Sequence, residues 1–412
     1  MSGFATRVEL EPTGLDADLN ELEAAMQAGV RRFANKVMRP IGQQLDHMTP
    51  SQVIAADSPL WQVFEEFAKL GLNLADMLAL PPADRARLIC LVFEELGYGD
   101  GGLAVMIGAS MVPSIVLHQL DRGDLLERYA DKPIGCWGIT EPDHGSDMLD
   151  SSGHARHPGV AHGRLNCYAR IEGERIVISG QKSAWVSNGP IAQVCILFCG
   201  FDDGSGVDKR CVVLVPLDSK GVSRGAPLDK MGQRALPQGE LYFDNVSLSL
   251  DHLVAGPENY VRAEQGVLTE ANGLMGVMWT GAARAAYEHA YEYAHQRKQG
   301  GVPIIQHQNV RHRLFHMFAK VEAARALSRR AIYFNEVAPA PALQGSIASK
   351  ITATQTAFDV ASAAIQMFGG NGVTREYPVE KLLRDARASM IEDGCNEMLA
   401  IKGGTLISRF EA

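Results

Sequence analysis

Two neighbouring carboxylates, Glu392 and Asp393, stand directly before Gly394 in a stretch that also holds a run of glycines, QMFGGNG at 366–372, and a helix opened by Pro378. A carboxylate on a turn is suited to removing a proton from carbon, and paired glycines let main chain approach a ligand. Residues 136–147, CWGITEPDHGSD, form a second polar turn, in which Pro142 fixes φ and Gly145 leaves backbone N–H groups accessible. His154, His157 and His162 share a glycine-bounded loop but have neither helical spacing nor acidic or Cys companions. A solvated loop is expected there and no metal site.

Stretches of this kind need a scaffold, and 412 residues are enough for two or three domains. From about Leu19 to Arg128 the pattern is helical, over 30–45, 60–70, 83–96 and 103–120, with apolar residues such as Leu88, Val92 and Leu96 four apart. Short β-branched and aromatic runs follow from Gly135 to about Val254, separated by Gly, Asp and Pro: ERIVISG, SAWVSNG, VCILFCGF, RCVVLVPL and ELYFDNVSL. Helical pattern returns over 266–295, 308–337, 342–368 and the last forty residues, with an apolar stripe from Val310 through Leu314, Met317 and Val321 to Ala331. The expected fold is multidomain α+β: a helical domain at 1–133, a β-sandwich or barrel at 134–255 and a C-terminal four-helix bundle at 256–412.

Composition narrows the function classes. A formal charge of −9 leaves no basic footprint for nucleic acid. Seven scattered cysteines suit reduced thiols in the cytoplasm, and residues 1–19 carry no basic start followed by an apolar block, so no export signal is read there. The apolar segment 103–120 is short for a membrane span and contains Pro113 and His118, so a buried helix and no integral membrane segment are expected.

Taken in order, CWGITEPDHGSD, GQKSAWVSNG (180–189), KMGQRALPQGELYFDNV (230–246), HQRKQGGVPIIQHQNV (295–310) and the stretch around 366–397 resemble the acyl-CoA dehydrogenase flavoprotein family, from about Val30 to the end. The resemblance implies FAD between the β domain and the bundle, an acyl-CoA substrate and an electron-transfer flavoprotein as electron acceptor. It also implies a homodimer or homotetramer in which one subunit's bundle completes another's flavin site. Trp137, Ile139 and Thr140 match positions against the isoalloxazine; Gly145 and Ser146 match the turn near the pyrophosphate and the CoA end of the substrate. Trp185 and Ser187 match the residues on the ring and its N5 edge. Arg297, Gln308, Gln366, Gly369 and Gly370 match those that reach the adenosine diphosphate, largely across the subunit boundary. Asp393 falls at the base position, with Gly394 and Ser146 on the substrate side. Cys395 and Glu397 fall among the cofactor-side positions, Cys395 as a small thiol without chemistry of its own.

This sequence departs from the family pattern in six places. The base is Asp393 where Glu is usual, a loss of about 1.5 Å of reach; a nitroalkane-oxidising branch also has Asp here. The alternative base position falls at Ala271 with Glu270 adjacent, which makes Glu270 a second candidate, and Asn272 replaces a common Arg. The aromatic of the segment after Arg297 is missing, and Cys395 replaces a hydroxyl residue. One extra residue lies between Lys182 and Trp185, and the glycine-rich passage before Glu94 is shortened. The expected activity is α,β-desaturation of an acyl-CoA. The alternatives are a flavoprotein oxidase or monooxygenase on a substrate without CoA, and a non-catalytic acyl-CoA-binding paralogue.

Overall fold

The computed structural model describes residues 19–150, 165–205 and 209–408, so the histidine-bearing loop and the first eighteen residues lie outside the described residues. The chain opens with α1 (Glu21–Phe33), whose N-terminus is closed by a reciprocal box between Asn20 and Glu23. A π-helical turn, Ala34–Met38, joins it without a break to α2 (Arg39–Asp46). Then come α3 (Pro50–Val53), α4 (Leu60–Ala68), α5 (Leu74–Ala79), α6 (Pro82–Gly99), α7 (Gly101–Gln119) and α8 (Gly123–Arg128). By length and composition α7 could cross a membrane, yet it packs against α9 (Tyr260–Gln296) and the first strand, with Pro113 inside it.

The middle of the chain is one mixed sheet of eight strands. These are β1 (Gly135–Gly138), β2 (Tyr168–Glu172), β3 (Arg175–Ser187), β4 (Val194–Asp202), β5 (Lys209–Pro216), β6 (Val222–Arg224), β7 (Gln238–Ser249) and β8 (Leu253–Ala255), in the order β6-β7-β3-β2-β4-β5-β8. β1 and β2 both run parallel to β4, one beside its start and the other beside its end. In β4 the residues Val194, Ile196 and Phe198 enter an apolar cluster shared with the flanking helices, while Cys195, Leu197 and Cys199 enter a second cluster. That second cluster also takes in β2, β3, β5 and β7, so the sheet curls around it. Burial on both faces explains why β4 reads as a continuous apolar run. All seven cysteines are free.

ERIVISG and SAWVSNG are one strand, β3, and not two. Gly180, at φ 125°, sits where the register against β7 shifts, and a bulge carries the strand through the glycine that would otherwise end it.

The C-terminal part is α9, α10 (Gln308–Val337), α11 (Leu343–Phe368), α12 (Val379–Ser389) and α13 (Asn396–Ser408), with the short ribbon β9 (Lys298–Gln299) and β10 (Val302–Pro303) after α9. The fourth helical segment is therefore broken into α12 and α13 by the turn that carries Glu392 and Asp393. One apolar core runs from Val30 in α1 to Ala386 in α12, so the two helical regions share a single interior. At its centre the helices α6 and α9 meet backbone to backbone: a Cβ on Gly97 would lie 1.8 Å from the Met278 carbonyl oxygen, and one on Gly281 1.9 Å from that of Glu94. The buried Glu94 accepts from Arg284 at 2.9 Å, Arg325 at 2.9 Å and Arg329 at 3.1 Å. Glu95 pairs with Arg284 at 2.9 Å and Arg31 at 3.3 Å. Three arginines around one carboxylate supply the hydrogen bonds without which buried charge is costly.

Candidate active site

A cavity of about 600 Å³ opens where sheet, α7, α9 and the turn after α12 meet. Val105, Gly108, Ala109 and Val112 line it from α7, spaced at three and four so that one helix face is presented. Ala271, Leu274 and Met278 do the same from α9. The loop after β1 contributes Trp137, Ile139, Thr140, Gly145 and Ser146, and β3 contributes Trp185 and Ser187. Asp393 and Gly394 close it from the turn between α12 and α13. Eleven of the residues singled out from sequence thus share one cavity, Ala271 and Glu392 among them.

Buried polar contacts fix the loop after β1. Lys182, fully buried in β3, donates to the Ile139 carbonyl at 2.9 Å and to Glu141 at 2.7 Å. The other Glu141 oxygen accepts from the Asn166 and Cys167 N–H groups. Ser187 accepts from Gln238 Nε2 at 3.1 Å, which orients its hydroxyl. The extra residue between Lys182 and Trp185 falls inside the second register shift of β3 against β7, between Lys182 and Val186, and is absorbed there as a bulge.

The turn bearing the carboxylates is left-handed at two consecutive residues, Asp393 at φ 51° and Gly394 at φ 93°. Outside glycine, Asn and Asp are the residues that most readily adopt this conformation, and Glu is not. The handedness of the turn is therefore a physical reason for Asp at this position. Two residues hold the turn from below. Lys350 of α11 is fully buried, and its Nζ donates to the Gly394 carbonyl and to Asn396 Oδ1, both at 2.8 Å. Asn272 of α9, also fully buried, approaches the Asp393 carbonyl with Nδ2 at 3.4 Å, and its Oδ1 has no partner. Among the described residues no acceptor takes the Asp393 N–H.

Burial raises the Asp393 carboxyl, and the charge of Lys350 opposes that rise. Glu392 is pushed up to about 7 by burial and by the neighbouring Asp393 charge, against a hydrogen bond from Gln233 Nε2 at 2.6 Å. Burial takes Lys350 down to about 8, offset mainly by Asp393 and Glu392. Both carboxylates line the cavity and keep part of their surface accessible.

The remaining sequence candidates lie elsewhere. Glu270 is turned away from the cavity that its neighbour Ala271 lines; its carboxyl is pushed up to about 7 by burial and Glu336, against Arg85. Arg297, Gln308, Gln366, Gly369 and Gly370 are exposed and none lines the cavity. Tyr293, one turn before Arg297, stacks on Phe368 at 3.9 Å, which places the ends of α9 and α11 side by side. Cys395 donates its N–H to Ser146 Oγ at 3.1 Å, tying the turn to the loop after β1, and Glu397 is exposed in the first turn of α13.

Sequence reasoning missed Lys350, Gln233 and the part Glu392 plays in the wall. The signal for Lys350 was present: Ile347, Lys350, Thr354, Ala357 and Ala361 form one buried stripe of α11, with a single cation in it. A charge within an apolar stripe marks a buried polar contact.

Models of the acyl-CoA dehydrogenase middle domain and C-terminal domain match residues 136–246 and 261–403. The chain is 29% identical over 395 residues to a benzylmalonyl-CoA dehydrogenase of Aromatoleum aromaticum, covering 94% of this chain and 98% of that protein. It is 28% identical over 404 residues to the mitochondrial short-chain specific acyl-CoA dehydrogenase of Mus musculus, covering 95% and 92%. A glutaryl-CoA dehydrogenase from Mycobacterium smegmatis, solved in complex with FADH2, has the same fold, with a TM-score of 0.79, 23% identity and coverage of 97% and 99%.

Proposed function

Because this chain belongs to the acyl-CoA dehydrogenase family of oxidoreductases, we propose that it desaturates an acyl-CoA thioester between Cα and Cβ with FAD as cofactor and Asp393 as base. The observation that carries this reading is that Asp393 lines the same cavity as Trp137, Thr140, Trp185 and Ser187. The residues present suit a flavin. Trp137 Nε1 is buried without a partner, and Trp185, Met231 and Ile391 form an exposed apolar rim that a ring system would cover. Bound there, FAD supplies the two-electron acceptor for the hydride that leaves Cβ.

The chain's own groups account for the other half of the reaction. The Asp393 carboxylate removes the α proton while its N–H, which no acceptor among the described residues takes, is free to donate to the thioester oxygen as negative charge develops there. Lys350 favours the ionised form of the base, a task for which the common Arg is absent at Asn272. The walls of α7 and α9 exclude water from the acyl group. An electron-transfer flavoprotein completes the turnover. The exposed set at Arg297, Gln308, Gln366, Gly369 and Gly370 serves a second subunit's FAD in a homodimer or homotetramer, and the free cysteines suit a cytoplasmic enzyme.

Anaerobic addition of acyl-CoA thioesters to the purified protein tests this directly. Bleaching of the flavin is expected, and Asp393→Asn should retain FAD while slowing reduction by about 10²–10⁴-fold. Unchanged reduction by that variant would remove the role from Asp393. Rapid reoxidation by O₂ with peroxide release would favour an oxidase, and a colourless protein a binding paralogue.

A further inference from the structure

The cavity has a polar feature that the desaturation does not use. Glu392 lines it beside Asp393, and its Oε1 accepts from Gln233 Nε2 at 2.6 Å. Among the described residues this is the only hydrogen bond to that carboxyl, so the second oxygen retains its full acceptor capacity. Gln233 is itself held by a buried relay. Its backbone is left-handed at φ 50°, and its N–H donates to the Asp385 carboxylate. Asp385 pairs at 2.6 Å with Lys381, which pairs at 2.6 Å with Asp100. All four are at most 8% exposed. A chain of buried polar groups behind one side chain fixes where that side chain points. Here it fixes a carboxyl in a cavity whose α7 and α9 walls, Val105, Val112, Leu274 and Met278, carry hydrocarbon.

We propose that Glu392 is a specificity residue, selecting acyl groups that carry a hydrogen-bond donor, a hydroxyl above all, beyond the reacting carbons. The proposal rests on the reading of this cavity as the site of acyl thioester desaturation. A plain hydrocarbon chain strips water from the second carboxyl oxygen and leaves that oxygen without a donor, whereas a hydroxyl replaces the water. A chain ending in a carboxylate meets Glu392 and Asp393 side by side on one turn; Asp229, also in the lining, is exposed and paired with Arg234. Of the two cations in the lining, neither is paired with these carboxylates. Lys230 spends its ammonium on the Leu236 carbonyl and Gln238 Oε1, each at 2.7 Å, and Arg387 is exposed. With Glu392 poised near 7, both of its forms are present near neutrality, and each can accept from a hydroxyl.

The test is anaerobic flavin reduction of the holoenzyme by butyryl-CoA, 4-hydroxybutyryl-CoA and glutaryl-CoA, scored as reduction rate over Kd. The wild type should favour the hydroxylated thioester over butyryl-CoA by about tenfold or more, with glutaryl-CoA last. Glu392→Leu should invert the first two, mainly through Kd, and Glu392→Gln, which keeps an acceptor, should preserve their order. A wild type that prefers butyryl-CoA or glutaryl-CoA overturns the assignment, as does a Glu392→Leu variant with full FAD content and an unchanged order. If Glu392→Leu loses its FAD, the wild-type order and Glu392→Gln decide. Bleaching by none of the three would sink the desaturation reading and this assignment with it, whereas bleaching in the wrong order sinks the assignment alone.

Discussion

Replacing Lys350 with Met should move the acid limb of the flavin-reduction profile to higher pH by about one unit. The direction follows from the charge: a buried ammonium next to a carboxylate favours the ionised form, so Asp393 titrates lower with Lys350 present than without it. An opposite charge a few ångströms away shifts a carboxyl by about one to three units. The low end applies because Nζ bonds Gly394 and Asn396 and forms no direct ion pair with a carboxylate among the described residues. One unit is about 1.4 kcal/mol, hence a tenfold slower reduction below the limb and convergent rates above it. The comparison belongs below pH 8, because Lys350 itself discharges near there. The substitution also strips two acceptors of their donor, at about 1–3 kcal/mol each if they stay dry, partly offset by methionine in the same space. Stopped-flow reduction by an acyl-CoA from pH 5.5 to 8, alongside FAD content and thermal melts, separates the two effects. A flavin-replete variant whose limb coincides with the wild type's would refute the electrostatic role, however far its melting temperature had dropped.

Three further outcomes are expected. Asp393→Glu should cost about 1 kcal/mol in melting experiments and slow flavin reduction at least tenfold, because Glu tolerates the left-handed turn less well than Asp; reduction at the wild-type rate would show that the turn's handedness does not decide the residue. Glu392→Gln should stabilise the ligand-free protein at pH 8 but not at pH 4.5. The fold holds the Glu392 proton up to about 7, so its stabilising contribution is complete below the unfolded carboxyl range and is lost as pH rises through 7. The gain is about 1 kcal/mol, kept small by cavity water, and melts showing a pH-independent difference would contradict it. Gly281→Ala should destabilise by about 3 kcal/mol, since its Cβ would meet the Glu94 carbonyl at 1.9 Å; a chemical denaturation midpoint within error of wild type would mean that α6 and α9 can separate freely.

What the sequence made legible is what local chemistry dictates. The helical, β and helical order follows from hydrophobic periods, and the cavity residues from Trp137 to Ser187 sit in short turns and strands whose motifs are contiguous. The contacts that prepare the carboxylates for chemistry join distant positions: Lys350 reaches Gly394 across 44 residues, and Gln233 reaches Glu392 across 159. Neither leaves a local trace beyond a cation in an apolar stripe and a glutamine in a loop. The same applies to the fusion of the two helical regions into one core, which no composition change announces. Gly180 misled for the opposite reason. It is a strong local break signal, overridden by a long strand partner that accepts a bulge.

The arginine cluster around Glu94 bears on how the chain comes to be folded at all. Its partners Arg284, Arg325 and Arg329 lie 190, 231 and 235 residues further along the chain. At about 5–20 residues per second of synthesis, α6 leaves the ribosome on the order of ten seconds or more before the three arginines around Glu94 exist. During that interval Glu94 lacks all three, although Glu95 can already meet Arg31 of α1, while the central sheet that lies between the two helical regions in the chain can close on its own cluster. The order of assembly expected from these separations is sheet first and both helical regions together at the end. A nascent chain stopped short of α10 would leave α6, buried at every residue from Leu88 to Gly99 in the finished fold, without one of the helices that covers it and Glu94 without Arg325 and Arg329.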